Sequence, residues 1–121
     1  MSSASRISVL TLVVAVLFSS PRAVALDSIG RIYVADDLND RVVRMDDMGG
    51  NGWIQAAGVF GGASGVSVTS GGHVCVAAYK AHKIAQMDDM AGTNLQFLGD
   101  AGITGGSGVG QFKQPNGIYC R

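Results

Sequence analysis

Proline, cysteine and histidine occur twice each in 121 residues, tryptophan once, and the formal net charge is zero. Each scarcity removes a class of function. Cys75 and Cys120 are far apart and fit neither a C-x-x-C pair nor a zinc-ligand spacing. A protein that neutralises nucleic-acid phosphates usually carries a basic excess, and none is present, so nucleic acid is not an expected partner. No apolar run reaches the roughly 20 residues needed to cross a bilayer, so no transmembrane span is expected. The chain also lacks G-x-S-x-G, H-E-x-x-H and P-loop strings, and no cofactor is expected. What remains is abundant: 18 glycines punctuate short β-branched runs. That texture predicts many short strands joined by tight turns.

The N-terminus carries a different signal. Arg6 precedes an apolar run from Ile7 to Phe18, then Ser19, Ser20, Pro21 and the small-residue pattern Ala23-Val24-Ala25. A cation, a short apolar core and an A-x-A site read as a secretory signal over residues 1–25. The predicted location is therefore secreted or periplasmic, and the run itself is expected to be a helix. In that compartment a disulfide is permitted, although two buried thiols acting as small hydrophobes are the expectation here. Cleavage after Ala25 would also remove most of a predicted strand.

Self-comparison is the most informative operation. Residues Val24 to Ala35 align without a gap on Val66 to Ala77, at an offset of 42. The match continues through Arg41–Met48 over Lys83–Met90, and the string Met-Asp-Asp-Met recurs intact. A third copy opens at Gln114-Pro115-Asn116-Gly117-Ile118-Tyr119, where Pro115 matches Pro21 and Ile118 matches Val24. Its spacing is about ten residues longer, because Gly105–Phe112 intervenes.

Each unit predicts four strands. In the first these are Ala23–Leu26, Arg31–Ala35, Arg41–Met45 and a weaker outer strand near Trp53–Gln55. Gly30 supplies the positive φ of the first hairpin, and Asp36–Asp40 is a polar loop whose side chains bond their own backbone. Four short strands in about 42 residues is the size of one propeller blade. The predicted class is all-β: four-stranded antiparallel blades of an incomplete β-propeller, preceded by the apolar, signal-like helix. Blade one covers 21–62, blade two 63–104, and 105–121 is a linker with the first strand of blade three.

The string Gly30-Arg31-Ile32-Tyr33-Val34-Ala35-Asp36, followed by Asn39-Asp40-Arg41-Val42, resembles the NHL repeat. Gly108-Val109-Gly110-Gln111-Phe112, then Pro115-Asn116-Gly117-Ile118, is similar to that family's blade-to-blade linker and next first strand. The resemblance implies a β-propeller whose members mostly bind proteins, RNA, glycans or small ligands, a minority being lyases or hydrolases. Blade two departs from the pattern, with Ala78 in place of the acid and Ala81, His82 and Lys83 after it. In blade one Asp36 and Arg41 can pair across the loop, worth at most about 1 kcal/mol if exposed. Propellers close with four to eight blades. Two therefore imply a truncated product or one protomer of a homo-oligomer that closes a ring.

Candidate sites follow. Asp36, Asp37, Asn39 and Asp40 do not match a calcium loop and are expected to shape a turn. Asp46, Asp47, Asp88 and Asp89 recur once per blade, which argues for a structural turn. His73 and His82 are expected at the surface, and Trp53 and Phe97 between blades. The first strands put Val24, Ala25, Leu26, Val66, Ser67 and Val68 along the axis, poor equipment for metal or acid–base chemistry. Loops on a rigid scaffold are where recognition usually sits. The candidate binding residues are therefore Asp37, Asn39 and Asp40 in blade one and Tyr79, Lys80 and His82 in blade two. A secreted binding or scaffold module for a protein or small ligand is the expected function. A propeller-type lyase or hydrolase with its site in other blades is the alternative, and a truncated repeat product without function the third.

Overall fold

The computed structural model describes residues 18–58, 60–99, 105–108, 112 and 114–121. The predicted N-terminal helix lies outside these residues.

Eight strands form two four-stranded antiparallel sheets, each in sequential order. The first contains β1 (Pro21–Leu26), β2 (Ile32–Asp36), β3 (Arg41–Met45) and β4 (Ile54–Ala57). The second contains β5 (Ala63–Val68), β6 (Val74–Ala78), β7 (Lys83–Met87) and β8 (Gln96–Leu98). These are the two predicted blades. Strand β1 begins two residues earlier than the sequence suggests, and β2 is shifted by one because Arg31 belongs to the preceding turn. There the Asp27 carboxylate accepts from the backbone amides of Ile29 and Arg31 and from Arg31 Nε. Thr69 repeats the device in blade two, its hydroxyl accepting from His73 N at 3.0 Å.

Side chains alternate across each strand, and the alternation assigns the faces. Tyr33, Ala35 and Val42 of the first sheet meet Val66, Val74, Val76, Ala85 and Met87 of the second in one core, with Ala23, Ala25 and Ala56 packed against it. Burial of these side chains, at roughly 25 cal/mol per Å² of apolar surface, is the main attraction between the blades. The Met-Asp-Asp-Met strings form the expected turns. Asp47 Oδ1 accepts from Gly49 N and Asn51 N, and Asp89 Oδ1 from Ala91 N and Thr93 N. The Asn51 side chain, donating through Nδ2 to Asp47 Oδ2, and then the Asn51 amide hold the Asp47 carboxyl below the usual aspartate range, and the Thr93 amide and side chain do the same for Asp89.

Asp36 and Arg41 pair as expected, Arg41 Nε donating to Asp36 Oδ2 at 2.9 Å, and Asp36 is fully buried. Its loss should therefore cost more than a surface pair. Two expectations are corrected here. Trp53 and Phe97 do not fill the gap between blades. Trp53 packs on Phe18 with Arg41 over its ring, while Phe97 is 44% exposed beneath Lys83.

The second correction concerns the cysteines. Cys75 and Cys120 form a disulfide, with Cα atoms 6.5 Å apart. The reason lies in the third repeat. Residues 115–120 lie beside β5, held by Ser64 Oγ to Pro115 O and by Cys120 N to Ser67 Oγ, each at 3.0 Å. Cys120 therefore occupies the place that Leu26 has in blade one, within reach of β6.

Candidate axial site

Strands β1 and β5 each carry a bulge near their start. Pro21 pairs with Asp36 and Ala23 with Ala35, leaving Arg22 extra; Ala63 pairs with Ala78 and Gly65 with Ala77, leaving Ser64 extra. A bulge re-aims the side chain of its unpaired residue. Here it turns Arg22 and Ser64 toward one pocket of about 490 Å³, which Asn116 and Gly117 also line. At the repeat offsets Arg22, Ser64 and Asn116 are equivalent positions of successive units. The pocket is thus built from the innermost strands.

The loops predicted to bind lie at the same end. Arg22 Nε donates to Asp37 Oδ2 at 2.9 Å, and its guanidinium sits over the Tyr79 ring, 5.4 Å from the centroid. Asp37 is buried, with no hydrogen-bond partner for Oδ1 among the described residues. Gly62 runs beside that oxygen at φ +85°, where a Cβ would lie 2.9 Å from Asp37 Oδ1 and 3.1 Å from Lys80 Cγ. Glycine is required there for both conformation and space. Asp37 and Tyr79 are therefore neighbours of Arg22, and Lys80 meets Asp37 at Gly62, the three coming from equivalent loops of two blades.

The remaining candidates are placed differently. Asn39 is exposed and donates through Nδ2 to Asp36 Oδ2 at 2.8 Å. Asp40 adopts the left-handed conformation, and its Oδ1 accepts from Gly62 N at 2.9 Å, tying the loop to the residue that precedes β5. His82 is buried, contrary to expectation, and its Nδ1 accepts from Gln114 N at 3.0 Å. It anchors Gln114, where the third repeat opens. His73 is half-exposed, 3.8 Å from an Asp88 oxygen. Among the described residues, no three His, Cys, Asp or Glu side chains are grouped to hold a metal. No helix among them is long and apolar enough to cross a membrane.

Sequence reasoning missed Arg22, Ser64 and Asn116. The signal was available, because the offsets that align Pro21 with Pro115 also align these three. What could not be read was the bulge that directs two of them to one place.

No family model and no curated protein matches this chain. Among solved structures it is similar to regucalcin, a calcium-binding protein from Agrobacterium tumefaciens str. C58, at 18% identity and a TM-score of 0.58. The likeness covers 84% of this chain and 34% of that protein, so the chain spans about a third of its neighbour's length. At this identity the likeness concerns the fold alone: two antiparallel four-stranded blades of a propeller-like, all-β architecture.

Proposed function

We propose that this chain is a secreted, NHL-type propeller binding module that recognises a carboxylate-bearing protein segment or small ligand at the axial mouth. The observation that carries the reading is that Arg22, which lines the pocket with Ser64 and Asn116, sits over the Tyr79 ring, while Lys80 lies close by at Gly62. Arg22 and Lys80 supply positive charge and Tyr79 an aromatic wall. The guanidinium's Nε is engaged by Asp37, which fixes its plane and leaves the rest of the fork to meet a carboxylate. Secretion is supported by the signal-like N-terminus and by a disulfide, which persists in oxidising compartments.

The structural neighbour is named for calcium, and a cation is a poor fit here. Arg22 already brings positive charge to the mouth, and the equivalent positions in the next units are the neutral Ser64 and Asn116. A hard cation needs several oxygen ligands, chiefly carboxylates.

The test is a titration of isotope-labelled protein with acidic, neutral and basic peptides and with small carboxylates. Acidic probes should shift the amides of Ala23, Gly65 and Gly117, and Arg22→Gln should abolish the response. Stoichiometric bound metal would favour the lyase or hydrolase reading instead. Silence toward every probe would favour a product without binding function.

A further inference from the structure

Residues 115–120 form one wall of the axial pocket, through Asn116, Gly117 and Ile118. The other walls come from β1, through Arg22 and Ala23, and from β5, through Ser64 and Gly65. Those two are strands, each paired within a four-stranded sheet. The third wall is built differently, for residues 114–121 belong to neither sheet. Among the described residues, two side-chain bonds hold 115–120 to β5. Ser64 Oγ donates to Pro115 O, and Cys120 N donates to Ser67 Oγ, each at 3.0 Å. His82 adds one bond at Gln114. In water a hydrogen bond contributes, net, about what ordering one residue costs. Burial adds little, since Asn116, Gly117 and Tyr119 are exposed. The noncovalent contacts alone do not fix this wall.

Its covalent attachment is Cys120, bonded to Cys75 of β6. Both cysteines line a second groove of about 490 Å³, together with Ile84, Phe97 and Tyr119. Cys75 is buried and Cys120 half-buried. Cys120 Sγ is therefore the sulfur that a thiolate entering the groove meets first. Accessible disulfides of this kind are the ones open to exchange.

We propose, on the reading of the axial pocket as the binding site, that the Cys75–Cys120 disulfide is its redox latch: oxidation assembles the third wall and a dithiol reductant releases it. One thiolate of the reductant attacks Cys120 Sγ. The S–S bond breaks with its electron pair on Cys75 Sγ, which takes up a proton. The reductant's second thiolate then attacks the reductant sulfur of the mixed disulfide and releases Cys120, which is protonated in turn. Two electrons and two protons have passed to the protein, and the reductant leaves as its own disulfide. With residues 115–120 free, Arg22 and Ser64 face a cleft open on one side. The chain binds its ligand only after it has met an oxidising environment.

The experiment compares the full isotope-labelled chain, oxidised, with the same sample reduced by dithiothreitol, and titrates both with a tetraglutamate peptide. On reduction the backbone order parameters of Gly117, Ile118 and Tyr119 should fall below about 0.6, the range of a flexible chain. The amide at position 120 should exchange at least tenfold faster, while those of Val43 and Ala85 keep their protection. The peptide should bind at least tenfold more weakly. Cys75→Ser/Cys120→Ser without reductant should match the reduced chain in each readout, which separates the bond from the reagent. A segment that stays ordered after reduction overturns the proposal, as does unchanged affinity despite its release. Loss of protection at Val43 and Ala85 overturns it too, because the bond then holds the blades and not the wall. If the oxidised chain binds no probe, the carboxylate reading alone fails, and the order of Gly117 in the two states still decides the latch.

Discussion

Cys75 on β6 is bonded to Cys120, which lies where blade one has Leu26, so the first strand of the third repeat is covalently fixed to the second blade. The bridge closes a separation of 45 residues. For a loop of that length, restriction of the unfolded chain corresponds to about 4 kcal/mol in the chain-entropy model. Cys120→Ser should lower unfolding stability by about 2–4 kcal/mol, read from denaturant midpoints at unchanged slope. Thiol counting checks the bond directly: no reactive thiol before reduction and two after it.

Asp36 is the hub of blade one's loop, accepting from Arg41 Nε, Asn39 Nδ2 and Ser19 N. Removing one partner of a buried pair leaves the other charge uncompensated, at a cost of about 3–5 kcal/mol. Asp36→Ala should approach that loss. In blade two the acid is replaced by Ala78 and the cation is Lys83, which sits over Phe97 instead. Lys83→Ala should therefore change stability by under about 1 kcal/mol. Equilibrium unfolding of the two variants side by side checks the asymmetry.

Asp27 and Tyr33 give the fold opposite sensitivities to acid and alkali. Burial pushes the Asp27 carboxyl up, but bonds from the Arg31 side chain and amide, the Tyr33 hydroxyl and the Ile29 amide together hold it below its ordinary 3.8. A carboxyl lowered by folding contributes stability above its unfolded value, and that stability disappears as pH falls from 3.8 through the lower folded value. Burial, then the Asp27 carboxylate, raises the Tyr33 phenol above 10.0. The unfolded chain ionises first, so stability also declines as pH climbs past 10.0. Asp27→Asn should flatten the acid limb of a stability–pH profile, and Tyr33→Phe the alkaline limb.

Gly65 lies against the third repeat, and a Cβ there would collide with the backbone oxygen of Asn116. That oxygen cannot retreat without moving the strand. Gly65→Val should displace residues 115–120, costing about 1–3 kcal/mol as overpacking does. It should also slow disulfide formation between Cys75 and Cys120. The rate of oxidative closure after reduction measures the displacement.

The blades were legible because the 42-residue offset repeats turn chemistry as well as strand pattern: Asp27 and Thr69 close one hairpin type, Asp47 and Asp89 the other. Strand β3, Arg41–Met45, matches its predicted range residue for residue. The axial cluster was only half legible. Asp37, Tyr79 and Lys80 can be read as loop residues, but Arg22 joins them because of a bulge, a backbone event that a gapless alignment of side chains does not show. His82 looked solvated because a local reading sees a loop. Its partner is a backbone amide 32 residues away. The disulfide was obscured for the same reason, since Cys120 meets Cys75 only once the third repeat's first strand is laid beside β5.

That placement separates two boundaries usually taken as one. Copying divides this sequence at the repeat edge, between residues 62 and 63. Cohesion divides it elsewhere, because each unit grips the opening strand of its successor: β1 packs along β5, Ser64 and Ser67 hold the stretch from Pro115 to Cys120, and His82 holds Gln114. A cut at the copying edge therefore severs contacts, and an inserted unit must arrive with a first strand that the unit before it accepts. Lengthening or shortening such an array is constrained less by the loops between repeats than by this hand-over of one strand.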